Sequence, residues 1–108
     1  MKKGEIWYAE IPSGNGHEQG GLRPVIILFE SEANIAIIIP LTSNFQALKY
    51  KNTLEIKYSE INGLKNNSVA LLFQIRAIDK KRLKSKIGVL ENKELKEIDA
   101  ILKKMLLL

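Results

Sequence analysis

His17-Glu18-Gln19-Gly20-Gly21-Leu22-Arg23-Pro24-Val25-Ile26-Ile27-Leu28 sets a polar, glycine-rich run directly against an arginine at the start of an apolar segment. Glycines at 14, 16, 20 and 21 give this run access to positive φ and close approach to a ligand, so it suits a loop that folds over a bound chain. Pro24 fixes its own φ and biases Arg23 towards an extended conformation. Val25-Ile26-Ile27-Leu28 is short, apolar and partly β-branched, which fits a buried strand better than a helix of that length. Arg23 is therefore expected at a loop-to-strand junction. Only three of the 17 basic residues are arginines, and a planar, permanently charged fork matches a phosphodiester where lysine offers a flexible point charge. A surface pairing of Arg23 with Glu18 or another carboxylate is the ordinary alternative.

Outward from that stretch the chain reads as short strands. Glu5-Ile6-Trp7-Tyr8-Ala9-Glu10-Ile11-Pro12 is rich in aromatic and β-branched residues and closes on a proline, giving a first strand. Phe29 to Asn34 is a polar turn, and Ile35-Ala36-Ile37-Ile38-Ile39-Pro40 is a third strand that pairs with the second and ends at Pro40. Leu41-Thr42-Ser43-Asn44 follows it. Two hydroxyls and an amide there can simply cap turns, or Thr42 and Ser43 can hold phosphate oxygens. If strands two and three are neighbours, Arg23 at the beginning of one and Thr42 at the end of the other share one end of the sheet.

Phe45 to Asn52 reads as a polar loop, Thr53–Ile56 as an edge-type strand, and Tyr58–Gly63 as one helical turn or a tight connection. Ser68 to Ile78 is the longest strand pattern, with Gln74 and Arg76 two apart and so on one face. Asp79 to Lys84 turns outward, and Ile87–Leu90 is a last short strand. From Glu91 the period changes. Asn92 is a suitable N-cap, Glu94 and Glu97 suit the early turns, and Leu95, Ile98, Ile101, Leu102 and Met105 recur at helical spacing over about four turns. The apolar end Met105-Leu106-Leu107-Leu108 exceeds what a lone helix end requires, and suits burial against a partner or a second copy. The sum is a small, strongly bent sheet or partly open barrel capped by one helix, in a single domain over residues 1–108.

Composition narrows the chemistry. The 108 residues carry 17 Lys and Arg against 12 Asp and Glu, a formal charge of +5, which favours a polyanionic partner. Much of that charge is lysine in the C-terminal half, where a solvated helix face explains it equally well. There is no cysteine and a single histidine, so disulfides and thiolate sites are excluded and there is little from which to build a metal site. No metal or other cofactor is expected. Glu5 and Glu10 interrupt what would be the apolar part of a signal peptide, and no segment reaches membrane-spanning length, so a cytoplasmic protein is expected.

Three motifs, in order and spacing, carry a resemblance: Gly16 to Val25, Pro40-Leu41-Thr42-Ser43, and Leu72 to Leu83. Together with Lys3-Gly4-Glu5-Ile6-Trp7 and the terminal helix, they resemble the MazF/PemK toxins of bacterial toxin–antitoxin systems over essentially the whole chain. The resemblance implies a homodimeric SH3-like barrel that cuts single-stranded RNA at short sequences without a metal and is silenced by a cognate antitoxin. It implies Arg23 and Thr42 as the main catalytic pair, a glycine-rich loop (Gln19, Gly20, Gly21) over the RNA, Glu18 beside the site, and His17 where some members use a histidine. One branch of the family carries an arginine and an aspartate where this chain has Leu71 and Phe73, so that branch's acid–base scheme does not transfer.

Metal-free RNA cleavage can use the substrate's own 2′-hydroxyl as nucleophile, which needs a base, an acid and donors for the charge on the phosphoryl oxygens. On this scheme Arg23 stabilises charge and Thr42 with Ser43 orients the phosphate. His17, with an ordinary pKa of about 6.5, and Glu18 are equal candidates for the base. Gln74 and Arg76 either line the groove and read bases or serve the sheet. Three other readings stay open: a non-catalytic nucleic-acid-binding barrel, a toxin that poisons a topoisomerase on the same fold, and a degenerate toxin that only binds its antitoxin.

Overall fold

The computed structural model describes residues 1–12 and 21–108. In chain order it contains β1 (Glu5–Ile11), β2 (Gly21–Glu30), β3 (Ile35–Thr42), β4 (Thr53–Ile56), β5 (Ser68–Leu71), β6 (Arg76–Asp79), β7 (Leu83–Val89) and one helix, α1 (Asn92–Leu106). Short 3-10 turns occupy Phe45–Lys49, Leu72–Gln74 and Lys80–Arg82. All strand pairs are antiparallel, in the order β4-β5-β3-β2-β1-β7, with β6 also on β3. The expected mainly β fold with a C-terminal helix is present. Its barrel is open, since β4 and β7 end the strand order without pairing each other.

The central strands are apolar without alternation because both of their faces are covered. Val25, Ile26 and Ile27 are all fully buried. Ile26 joins Ile6, Ile39, Leu41, Leu72 and Ile98 in one cluster, while Val25 and Ile27 join Ala9, Ile38, Ile78 and Leu83 in a second. The helix seals the first cluster with Leu95, Ile98, Ile101, Leu102 and Met105, the three- and four-residue spacing legible in the sequence.

Several boundaries differ from the sequence-based expectation: β2 extends beyond the apolar run at both ends, over Gly21–Glu30, and four further differences have reasons in the pairing and capping. First, β3 does not stop at Pro40 but runs to Thr42. β6 pairs with Ile35 to Ile38 and β5 with Leu41 and Thr42, so Pro40 falls in the gap where that side of β3 has no ladder to break. Second, the long strand expected over residues 68–78 is two strands, because the turn at Leu72–Gln74 carries the chain from one segment of β3 to the other. Third, β7 starts at Leu83, inside the expected turn, where Leu83 is buried opposite Ala9. Fourth, the N-cap of α1 is Glu91, not Asn92: Glu91 and Glu94 form a capping box, each side chain accepting from the other's backbone N–H.

A buried carboxylate ties the first strand to the last. Glu5 is 8% exposed; its Oε1 accepts from Trp7 Nε1 at 2.9 Å, and its Oε2 lies 3.3 Å from Lys86 Nζ on β7. Desolvation pushes this carboxyl upward, but the bonds from Trp7, Lys86 and the Lys2 backbone outweigh it and hold the pKa below the ordinary glutamate value of 4.5. A depressed carboxylate pKa stabilises the fold above the unfolded-state pKa, and that stability is lost as pH falls through the folded value. Glu5→Gln is therefore expected to lower Tm at neutral pH and to abolish part of the protein's acid sensitivity below about pH 4.5. Thermal melts of both proteins from neutral to acid pH check this, and parallel curves would contradict it.

Candidate functional site

The register of β2 on β3 brings the two sequence motifs together. Val25 lies opposite Pro40, so in this antiparallel pair the residues before Val25 run beside those after Pro40. Arg23 sits inside β2, opposite Ala9 of β1, rather than at the loop junction expected for it. Its Nη1 donates to the Leu41 carbonyl at 3.4 Å. The guanidinium is half-buried, and burial lowers its pKa, from a starting point so high that the group keeps its charge at neutral pH.

Thr42, the last residue of β3, is paired to Val69 of β5. Its Oγ1 accepts from the Asn44 N–H at 3.2 Å, and Asn44 Oδ1 accepts from the Gln46 N–H at 3.1 Å to cap the Phe45–Lys49 turn. The turn-capping role permitted by the sequence is thus real. It occupies an acceptor position of the hydroxyl and leaves the proton to donate.

Arg23, Thr42 and Ser43 line a cleft of about 300 Å³, together with Tyr8 from β1 and Lys65 and Asn66 from the connection before β5. No Asp or Glu lines this cleft among the described residues. Two cations, hydroxyls and an amide without a carboxylate make a site for an anion. Among the described residues no three His, Cys, Asp or Glu side chains gather as metal ligands would.

A second cleft, of about 520 Å³, shares Thr42 with the first. Tyr50 and Phe73 line it, both exposed, with ring centroids 5.8 Å apart at 60° and Lys49 Nζ 5.3 Å from the Tyr50 centroid. Gln46 and Gln74 lie in the same cleft. The predicted pairing of Gln74 with Arg76 on one strand face is not found: Gln74 belongs to the 3-10 turn, whereas Arg76 stands on β6 opposite Ile38 and lines neither cleft. Gly21 opens β2 with φ of +82°, a conformation that favours glycine. His17, Glu18, Gln19 and Gly20 lie outside the described residues.

Sequence reasoning missed Tyr8, Lys65, Asn66, Tyr50 and Phe73. Tyr8 and Phe73 read as ordinary strand residues, and the others as loop polarity. Only the strand order brings them beside Thr42.

The family described as the PemK-like, MazF-like toxins of type II toxin–antitoxin systems matches residues 2–106. The chain belongs to that family. Among its relatives is an Endoribonuclease MazF from Staphylococcus saprophyticus subsp. saprophyticus, 36% identical over 103 residues that span 92% of this chain and 85% of the relative. Two solved structures share the fold. One is an endoribonuclease in complex with its cognate antitoxin from a mycobacterial species, with TM-score 0.70 and 15% identity over 98% of this chain and 92% of that one. The other is a MazE–MazF crystal structure (Form-II) from Deinococcus radiodurans, with TM-score 0.70 and 24% identity over 98% and 95% of the two chains.

The connection that supplies Lys65 to this toxin's cleft is rigid. Asn62, 2% exposed, accepts through Oδ1 from the N–H groups of Ser59 and Leu64, both at 3.0 Å, and donates through Nδ2 to the Lys57 carbonyl at 2.8 Å. Gly63 follows with φ of +70°, and a Cβ there would collide with the Ile87 carbonyl of β7. Leu64, 5% exposed, enters the core. Asn62→Ala removes all three of these bonds, the one from the Leu64 N–H buried and the two to Ser59 and Lys57 part-buried; a buried group left without a partner costs about 1–3 kcal/mol. The substitution is expected to lower stability by more than 2 kcal/mol in denaturant melts, whereas Lys65→Ala on the same segment changes it by less than about 0.5 kcal/mol.

Proposed function

We propose that this chain, an endoribonuclease by family, cuts single-stranded RNA at short sequences with the RNA's own 2′-hydroxyl as nucleophile and no metal. The observation that carries the proposal is the cleft that the Arg23 guanidinium lines with Thr42 and Ser43, with no carboxylate among its described lining residues. A base removes the 2′-hydroxyl proton, O2′ bonds to phosphorus, and the bond from phosphorus to O5′ breaks as O5′ takes up a proton. The products are a 2′,3′-cyclic phosphate and a 5′-hydroxyl. Arg23 stabilises the charge on the non-bridging oxygens, and Thr42 donates its hydroxyl proton to one of them while Ser43 helps orient the phosphate. His17 or Glu18 serves as base.

The strand passes over Thr42 from the first cleft to the second, where bases stack on Tyr50 and Phe73 and meet Gln74. Stacking on an aromatic side chain contributes about 1–3 kcal/mol per base. Arg76 contributes through the β6 end of the sheet, and the segment through Gln19, Gly20 and Gly21 covers the RNA. The toxin works in the cytoplasm as a homodimer, for which the exposed Leu106, Leu107 and Leu108 supply apolar surface, and a cognate antitoxin silences it. No described helix is long and apolar enough to cross a membrane.

Incubating the purified protein with a long RNA in EDTA is expected to give discrete cuts ending in cyclic phosphate and 5′-hydroxyl groups. Arg23→Ala is expected to cut about 10²–10³-fold more slowly with Tm little changed. A 5′-phosphate product, or loss of cutting in EDTA, would overturn the mechanism; RNA bound but uncut would favour a non-catalytic nucleic-acid-binding barrel. Tyr50→Ala is expected to weaken RNA binding at least fivefold by fluorescence anisotropy.

A further inference from the structure

Lys65 is a surface lysine by sequence, and its position sets it apart from the others. It lines the same cleft as Arg23 and Thr42, yet comes from a different part of the sheet, the connection between β4 and β5. Its backbone is fixed on both sides. Asn62 and Gly63 lock the preceding turn against β7, Leu64 is anchored in the core, and on the following side Ser68 Oγ donates to the Asn66 carbonyl at 3.0 Å. Asn67 Oδ1 accepts from the Tyr58 N–H at 3.0 Å. The side chain itself is exposed, and no described carboxylate pairs with it. A lysine that served only solubility would gain nothing from a rigid mount at the edge of an anion site. A lysine that meets a phosphate gains from both its free charge and its fixed base.

We infer that Lys65, with the Asn66 side chain beside it, holds a phosphate of the RNA backbone next to the scissile one, so that the substrate is gripped from the 64–66 segment while Arg23 and Thr42 act on the reacting phosphate. The inference rests on the proposed RNA substrate and extends its grip to a residue outside the family's catalytic motifs. The contact is to phosphate, and therefore sets affinity and register on the strand but not base preference. It is made equally in ground and transition states, so its loss falls on KM and leaves kcat nearly unchanged.

The test compares the wild-type protein with Lys65→Gln, Lys65→Arg and Asn66→Ala in two assays. Cleavage of a single-stranded RNA oligonucleotide gives kcat and KM. Anisotropy with an all-deoxy oligonucleotide of the same sequence, which keeps the phosphates and lacks the 2′-hydroxyl, gives affinity from about 50 to 200 mM salt. Lys65→Gln is expected to raise KM and the deoxy-probe Kd about tenfold and to reduce the salt slope by about 0.7, the share of one phosphate on a single strand. Lys65→Arg is expected to restore both, and Asn66→Ala to give a smaller rise in KM at unchanged salt slope. A Lys65→Gln protein with wild-type Kd and salt slope overturns the inference, as does a loss confined to kcat. Failure of the wild-type protein to cut RNA would instead remove the proposed function, while the deoxy probe still reads the Lys65 contact.

Discussion

Strand β3 carries the architecture. β2 flanks one side of it, and β6 and then β5 divide the other. Both faces of β3 are buried, Ile39 and Leu41 in one cluster and Ala36 and Ile38 in the other. Each neighbour therefore fixes the strand's path. The strand ends at Thr42, which pairs with β5 and also lines both clefts. Thr42 owes its position to the packing of the whole sheet, and Arg23 shares the first cleft with it because the β2 register places it beside the Leu41 carbonyl. A charged group on a rigid strand, half-removed from water, interacts with an anion more strongly than the same group on a solvated loop.

Much of this arrangement was legible in the sequence. The apolar runs at Val25–Leu28 and Ile35–Ile39, each bounded by turn residues, identify the central hairpin, and the arginine before the one and the threonine after the other follow from antiparallel pairing. The amphipathic spacing of Leu95, Ile98, Ile101, Leu102 and Met105 identifies the helix. Pairing partners were the hidden quantity. Nothing local marks Leu72–Gln74 as a break in a run that reads as one strand; the break exists because β3 offers separate stretches to β5 and β6. Pro40 reads as a stop for the same reason, since its tolerance depends on a gap in the ladder that only the topology creates.

The site shows the same division. The residues proposed to act on the phosphate through their own motifs, Arg23 and Thr42, stand out in the chain. Residues whose proposed role comes only by convergence do not, because Tyr50, Phe73 and Lys65 are distant in sequence from Arg23 and Thr42 and individually unremarkable. The acceptor capacity of Thr42 is used locally on Asn44, and so the turn-capping and phosphate-orienting readings of that hydroxyl are compatible: the first holds the side chain still, and the second uses the proton that remains.

In the proposed reaction the attacking oxygen comes from the RNA itself, with Arg23 and Thr42 supporting the phosphate. Once a cut site is known, a matched pair of short RNA oligonucleotides, one carrying a single 2′-deoxy substitution at the nucleotide on the 5′ side of that site, tests it most directly. The substituted strand is expected to bind with similar affinity and to stay intact at that position in EDTA. Cleavage of the substituted strand at the same bond would show that water or another nucleophile attacks, and would contradict the proposed reaction.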